Sequence, residues 1–247
     1  MIPILWLDEV SSTNTFAKEQ FLREKRNGTF AVAARRQTDG RGRLGRRWQC
    51  EPGQSLALSV LVPRPLASSV TLCVGVAAAR AVSRFCDANI QLKWPNDILC
   101  NDRKIGGILC QQIVGAESAT VLGIGINLAQ SAAFFEENGL PYGSSLRLET
   151  GASVSPEQMA EAVTEEIEKM LKIFEAQGFA AFKEEYETRC VNVGKEVRIL
   201  SQATTESSVG VAAGVDEDGN LLVTGSDGKS YAVRTGEVSV RGVYGYV

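Results

Sequence analysis

The chain has 247 residues with a formal charge of -3, 44% hydrophobic and 22% charged. These proportions lie near globular averages, which excludes a disordered or fibrous protein and argues against one that coats nucleic acid. Six cysteines occur without a CxxC pair and histidine is absent, so Ser-His-Asp and Cys-His catalysis and every His-bearing metal site are excluded. Lys, Arg, Asp, Glu and backbone donors are left to carry any chemistry. The length suits one domain of ordinary size plus a small module. With no basic-apolar leader and no apolar run of membrane-spanning length, the cytoplasm is the expected location.

An apolar stretch over 2–7 precedes Ser11-Ser12-Thr13-Asn14, residue types that favour helix N-caps. A helix is expected to run to about Arg26, with Phe16, Ala17, Phe21 and Leu22 on its buried side and Asn27-Gly28 as its stop. Phe30, Val32 and Ala34 alternate as in a strand, and a loop rich in Gly and Arg follows. A strand over 55–62 ends at Pro63-Arg64-Pro65. Val70, Val74, Ala77, Ala78, Ala81, Val82 and Phe85 then form a helical stripe. Strands are expected over 90–93, 104–114 and 120–128, with Asn101-Asp102 and Gly115-Ala116 as turns.

Ser155 and Gln158 stand at capping-box spacing around Pro156, and Met159, Val163, Ile167, Met170, Leu171 and Phe174 mark the long helix behind them. Beyond Val193 the texture changes to short strands over 197–200, 209–215, 221–224 and 231–234. Hairpin turns at Asp218-Gly219 and Asp227-Gly228 suggest a small β-barrel module.

Three segments carry candidate chemistry. Gly40-Arg41-Gly42-Arg43-Leu44-Gly45-Arg46-Arg47-Trp48 combines backbone freedom, anion-binding amides, forked cationic donors and a flat ring for a base. It suits a nucleotide or acyl-phosphate site, and the plainer alternative is a solvated basic loop or a nucleic-acid contact. Lys93-Trp94-Pro95-Asn96-Asp97 is followed by Lys104 ahead of Gly106-Gly107 in an apolar strand. A buried ammonium there requires an anionic partner, unless the lysine reaches water along its stem, and Pro95-Asn96-Asp97 taken alone is an ordinary turn. Gly123-Ile124-Gly125-Ile126-Asn127 lacks the third glycine and the following helix of a dinucleotide fingerprint. Its alternation marks a strand where a backbone or ligand passes close, into which Asn127 directs its amide.

In this order the three segments resemble the biotin protein ligase family, over nearly the whole chain. The resemblance implies an α+β fold: a mixed-sheet catalytic domain related to class II aminoacyl-tRNA synthetases over 1–193 and an SH3-like β-barrel over 194–247. It implies biotin and ATP as substrates and a biotin carboxyl-carrier domain of a carboxylase as acceptor, and Mg2+ is expected to bridge the phosphates and keep several water ligands. By the same resemblance, Ser12, Thr13, Asn14 and Gln37 form the pocket for the ureido ring. Arg41, Gly42 and Arg43 close on the biotin carboxylate and the adenylate phosphate. Lys104 touches both carboxylate and α-phosphate, Trp48 packs on adenine, and Asn127 lies near the nucleotide.

Arg43 and Lys104 are thus the expected catalytic residues, with Asp97 orienting or deprotonating the acceptor amine. Because 8–14 already belongs to the pocket, the monofunctional type is expected, without the N-terminal DNA-binding domain that some members carry. Neither nucleic acid nor a membrane is expected as a partner, and the choice between monomer and homodimer stays open. The rivals are a lipoate ligase, which shares the fold, and an Arg-rich nucleic-acid-binding module, whose net basic charge is absent here.

Overall fold

The computed structural model describes residues 1–24, 28–201, 207–234, 238–242 and 246. In chain order its first elements are β1 (Ile4–Val10), α1 (Thr13–Glu24), β2 (Phe30–Gln37), a one-turn 3-10 helix (Arg43–Gly45), β3 (Ser55–Val62) and α2 (Val70–Val82). Then come β4 (Ile90–Lys93), β5 (Asp97–Cys100), β6 (Arg103–Ile113), β7 (Ala119–Asn127), α3 (Ala132–Glu137) and α4 (Leu146–Thr150). The last are α5 (Pro156–Gln177), α6 (Ala180–Arg189), β8 (Glu196–Ser201), β9 (Ser207–Val215), β10 (Leu221–Gly225), β11 (Ser230–Val233) and β12 (Val238–Gly242).

A seven-stranded sheet runs β1-β2-β3-β7-β6-β5-β4. Only its β1–β2 pair is parallel, with α1 as the crossover that such a pair requires. The sheet is therefore mixed, and with a separate antiparallel sheet of order β11-β10-β9-β8-β12 the fold is α+β as expected. Helix α2 is apolar on nearly every side because it is buried on every side, between the large sheet and α5 and α6. On the opposite face Ala17 and Phe21 of α1 pack on Phe30, Val32, Leu61 and Val121. Ser155 and Gln158 make both halves of the capping box that starts α5. No described helix is long and apolar enough to cross a membrane.

Several expectations need correction. Leu22 faces solvent rather than the core, because Ala17 and Phe21 at i, i+4 already fill the α1 contact. The expected end of that helix, Arg26 and Asn27, lies outside the described residues. Strand β5 was not expected, since the Pro95-Asn96-Asp97 run that leads into it reads as a turn. Trp94, Pro95 and Asn96 do form a turn, and the strand begins at Asp97, which pairs with Lys93 across it. Helix α6 escaped notice because its charged sequence buries only Phe182 and Tyr186.

Both sheets share one core, to which Val197, Ala212, Leu221 and Val240 contribute together with Leu72 and Phe182. A few polar contacts fix the docking. Trp94, 2% exposed, donates its indole N–H to the Gly219 carbonyl at 3.0 Å, and Val215 N–H donates to Glu187 Oε1 at 2.8 Å. Trp94→Phe keeps an aromatic ring but strands a buried carbonyl, so unfolding free energy should fall by about 1–3 kcal/mol. Urea titration followed by circular dichroism measures it.

Candidate functional site

Where β1 and β2 end side by side, Thr38 N–H and Asp39 N–H continue the pairing onto the Val10 and Ser11 carbonyls. This parallel extension sets the first turn of α1 beside Gln37. Gln37 Oε1 accepts from Thr13 N–H at 2.8 Å and from Thr13 Oγ1 at 3.1 Å, so one amide oxygen serves an orphan helix N–H. Asn14 donates to the Leu109 carbonyl and to Gln111 Oε1, and Ser59 Oγ lies 2.7 Å from Thr13 Oγ1 and 2.6 Å from Asn14 Oδ1. Buried polar groups need such partners. Asn14 therefore spends its amide on the protein and shapes the pocket wall, while Ser12 and Thr13 lie beside it in the same wall.

The Gly-Arg segment folds as a short hairpin rather than an open loop. Trp48 N–H donates to Gly40 O, Gly42 N–H donates to Arg46 O, and Arg41 bridges Arg47. Leu44 and Gly45, at φ 59° and 71°, turn the chain at its tip. Arg41 pairs with Asp39 at 3.0 Å near solvent. Arg43 instead turns inward, donating to Asn96 Oδ1 at 3.3 Å. Burial pulls its guanidinium below the ordinary value, the charge of Asp97 acts upward and that of Arg46 downward; an arginine remains charged through such a change.

Trp48 lies on the sheet over two glycines. A Cβ on Gly125 would come within 2.5 Å of its ring and one on Gly107 within 3.3 Å, and an added Cβ on Gly123 would strike Asn14 Oδ1 at 2.3 Å. The alternating glycines thus make room for side chains of this chain itself. The indole N–H is buried, and among the described residues it meets no nitrogen or oxygen acceptor.

Lys104 finds the anion its position requires. Its Nζ is 2.5 Å from Asp97 Oδ1, and the Tyr246 hydroxyl donates to Asp97 Oδ2. Burial alone would push the Asp97 carboxyl up. The charge of Lys104, hydrogen bonds from Lys104 and Tyr246, and the charge of Lys93 outweigh it and hold the group below the ordinary carboxylate range. A carboxylate so held is a weak base, which makes Asp97 better suited to fixing Lys104 than to deprotonating an amine. Asn127 donates to the Ser144 carbonyl at 3.0 Å and accepts from Gln130 Nε2, and it stands in the cavity wall.

All ten expected residues, Ser12, Thr13, Asn14, Gln37, Arg41, Gly42, Arg43, Trp48, Lys104 and Asn127, line one cavity of about 350 Å³, a volume suited to a small organic ligand. Among the described wall residues, six cations (Arg41, Arg43, Arg46, Arg47, Lys93 and Lys104) face one carboxylate, Asp97. The wall also contains Lys93, Asn96, Tyr142 and Tyr246, to which no role was assigned from sequence. Lys93 and Asn96 stood inside a motif already singled out. Tyr142 arrives through backbone pairing, its carbonyl accepting from Lys104 N–H at 2.9 Å, and carried no local signal. Gly125→Ala should lift Trp48 off the sheet at a cost of about 1–3 kcal/mol in stability; a shift in tryptophan emission and a weaker nucleotide Kd by fluorescence titration are the expected results.

The Biotin/lipoate A/B protein ligase family matches residues 6–127, and the biotin protein ligase C terminal domain matches residues 193–241. A biotin--[acetyl-CoA-carboxylase] ligase from Paracoccus denitrificans is 30% identical over 211 residues, covering 82% of this chain and 87% of that protein. The bifunctional ligase/repressor BirA of Escherichia coli is 29% identical over 241 residues, covering 95% of this chain and 73% of that one. Among solved structures, the biotin protein ligase from Aquifex aeolicus in complex with biotin and ATP superposes with a TM-score of 0.83 at 28% identity, covering 98% of this chain and all of that one. With these relatives aligned across both sheets, and the motif residues gathered in one cationic cavity, the chain belongs to the biotin protein ligase family.

Proposed function

We propose that the cationic cavity is the active site in which this ligase joins biotin to ATP and then to an acceptor lysine. The observation that supports this reading is the placement of Arg43 and Lys104: they are held by consecutive residues of one turn, Asn96 and Asp97. In the first step a biotin carboxylate oxygen bonds to the α-phosphorus of ATP and the bond to the pyrophosphate oxygen breaks, giving biotinyl-5′-AMP and pyrophosphate. Two anions must meet, and at a separation on the order of 4 Å they repel by about 4 kcal/mol at an effective dielectric near 20. Arg43 and Lys104 offset that repulsion and stabilise charge on the phosphoryl oxygens. In the second step the neutral acceptor amine bonds to the acyl carbon and gives up one proton to solvent, the bond from that carbon to the phosphate oxygen breaks, and AMP leaves as a stable anion.

Ser12, Thr13 and Gln37 present hydroxyl and amide groups to the ureido ring, with Asn14 supporting them. Arg41 and Gly42 close with Arg43 over the carboxylate, and Trp48 and Asn127 receive the adenylate. Mg2+ would enter with the nucleotide and shield its phosphates. Asp97 is already engaged by Lys104 and Tyr246. The catalytic domain spans 1–193 and the SH3-like domain 194–247. The enzyme acts in the cytoplasm, as monomer or homodimer, on a biotin carboxyl-carrier domain of a carboxylase.

Pyrophosphate–ATP isotope exchange tests the reading: exchange should depend on biotin, and dependence on lipoate in its place would refute it. Lys104→Ala should slow biotin-dependent exchange about 10²–10³-fold, the usual effect of losing one donor to developing charge. The Gly-Arg hairpin, whose packing is mostly its own, should gain protection from limited proteolysis when biotin and ATP are both added; mass spectrometry of the fragments locates the protected bonds.

A further inference from the structure

Tyr246 lies beyond β12, outside every motif, yet its ring forms part of the cavity wall. Three of its interactions lie among the described residues of the cavity wall. The hydroxyl donates to Asp97 Oδ2, Lys93 Nζ lies 3.4 Å from the ring centroid, and Tyr142 stacks against it at 4.8 Å with the planes 15° apart. Such a set is more than packing needs. Lys93 is 3% exposed, so its ammonium has exchanged water for an aromatic face, an arrangement worth most when desolvated. Asp97 divides its two oxygens between Lys104 and Tyr246.

Resting on the ligase reading above, we propose that Tyr246 is a positioning residue of the first half-reaction, by which the C-terminal part of the chain completes the active site. The carboxylate of Asp97 carries one charge over two oxygens. While Tyr246 donates to one of them, the pull on Lys104 is moderated, and the remaining hydrogens of Lys104 stay directed at the reacting oxygens. Without the hydroxyl, the whole demand of a half-buried carboxylate falls on Lys104 and draws it out of line. The same ring covers Lys93, which keeps that second cation dry and its field undiminished inside the cavity.

Among the described residues, the charged or titratable groups facing Asp97 that bear on the test are Lys104 from β6, Lys93 from β4, Arg43 from the Gly-Arg hairpin, Tyr186 from α6 and Tyr246 itself. Ionised Asp97 is present above its own pKa and is lost as pH falls through it. Tyr246 is one of the groups lowering that value, so its loss moves the acid limb of the rate profile upward. Biotin-dependent pyrophosphate–ATP exchange should be measured against pH for the full chain and for Tyr246→Phe, which keeps the ring and removes the hydroxyl. The acid limb should rise by about one pH unit, the scale of one hydrogen bond to a charged group. At neutral pH kcat should fall about tenfold, with the KM for biotin changed less than about twofold.

In an Asp97→Asn background, Tyr246→Phe should add nothing further. Tyr246→Ala, which also uncovers Lys93, should in addition raise the KM for ATP. Superimposable pH profiles for parent and Tyr246→Phe, or losses that simply multiply in the double variant, would overturn the inference and reduce Tyr246 to packing. A parent protein without biotin-dependent exchange would overturn the ligase reading instead, and this inference with it.

Discussion

Six cations converging on a cavity of about 350 Å³ would repel one another as well as attract a ligand, and Asp97 is the group that reconciles the two. Its carboxylate pairs with Lys104, lies near Lys93, and adjoins Asn96, which holds Arg43. Like charges separated by about 6 Å repel by about 3 kcal/mol at an effective dielectric near 20, so one anion among them stabilises the empty site. It leaves a large positive excess for the ligand. That excess is local, because the whole chain carries a net charge of -3. The field is made by placing cations together, with no basic bias in the composition.

Holding those charges in register depends on what the sheet omits. Gly107 and Gly125 face the Trp48 indole, Gly123 faces Asn14, and Gly40 approaches the Trp48 carbonyl so closely that a Cβ would lie 2.5 Å from it. At Gly107, Gly123 and Gly125 the missing side chain lets another one descend onto the strands, and at Gly40 it admits the Trp48 backbone that carries one of them. None of these four glycines is there for an unusual backbone angle; their φ values are ordinary. Adding one methyl group would therefore act through displaced neighbours. The buried hydrogen bonds among Thr13, Asn14, Gln37 and Ser59 tighten this fit, since every donor displaced leaves a desolvated partner.

Much of this was legible in the residue order because the informative features are local. The α5 capping box, the β6 and β7 runs to within one residue, and the chemistry of the Gly-Arg segment, though not its hairpin, each declare themselves within a dozen positions. So does the need of Lys104 for an anion, although its partner turned out to be a protein carboxylate, Asp97, seven residues away. Illegible parts are those decided at long range. Leu22 faces water because Phe21 reaches the core first, β5 exists because Lys93 and Asp97 pair across a turn, and Tyr142 is placed by its backbone contact with Lys104. Asn14 illustrates the intermediate case. Its position beside the pocket follows from the helix start, but the commitment of its amide to Leu109 and Gln111 depends on β6.

The cavity combines a fixed floor with separately held edges, and the chemistry calls for both. The floor is the sheet itself, with Ala57, Leu58, Gly107 and Gly125 backed by the apolar core. The edges come from the Gly-Arg hairpin and the segment carrying Tyr142, attached by backbone pairs and single polar contacts, and from Tyr246, held through its hydroxyl and by Lys93 and Tyr142. An acyl adenylate is vulnerable to water until its acceptor arrives, so the edges must close over it. They must then admit a lysine carried by another protein, and edges held by a few hydrogen bonds open at smaller cost than any part of the core. Arg43 sits on one of those edges, and Lys104 pairs with another through the Tyr142 carbonyl and with Asp97, which Tyr246 also holds. On the proposed reading, a ligand that draws the edges inward also tightens the field around itself, and its binding supplies the free energy for both.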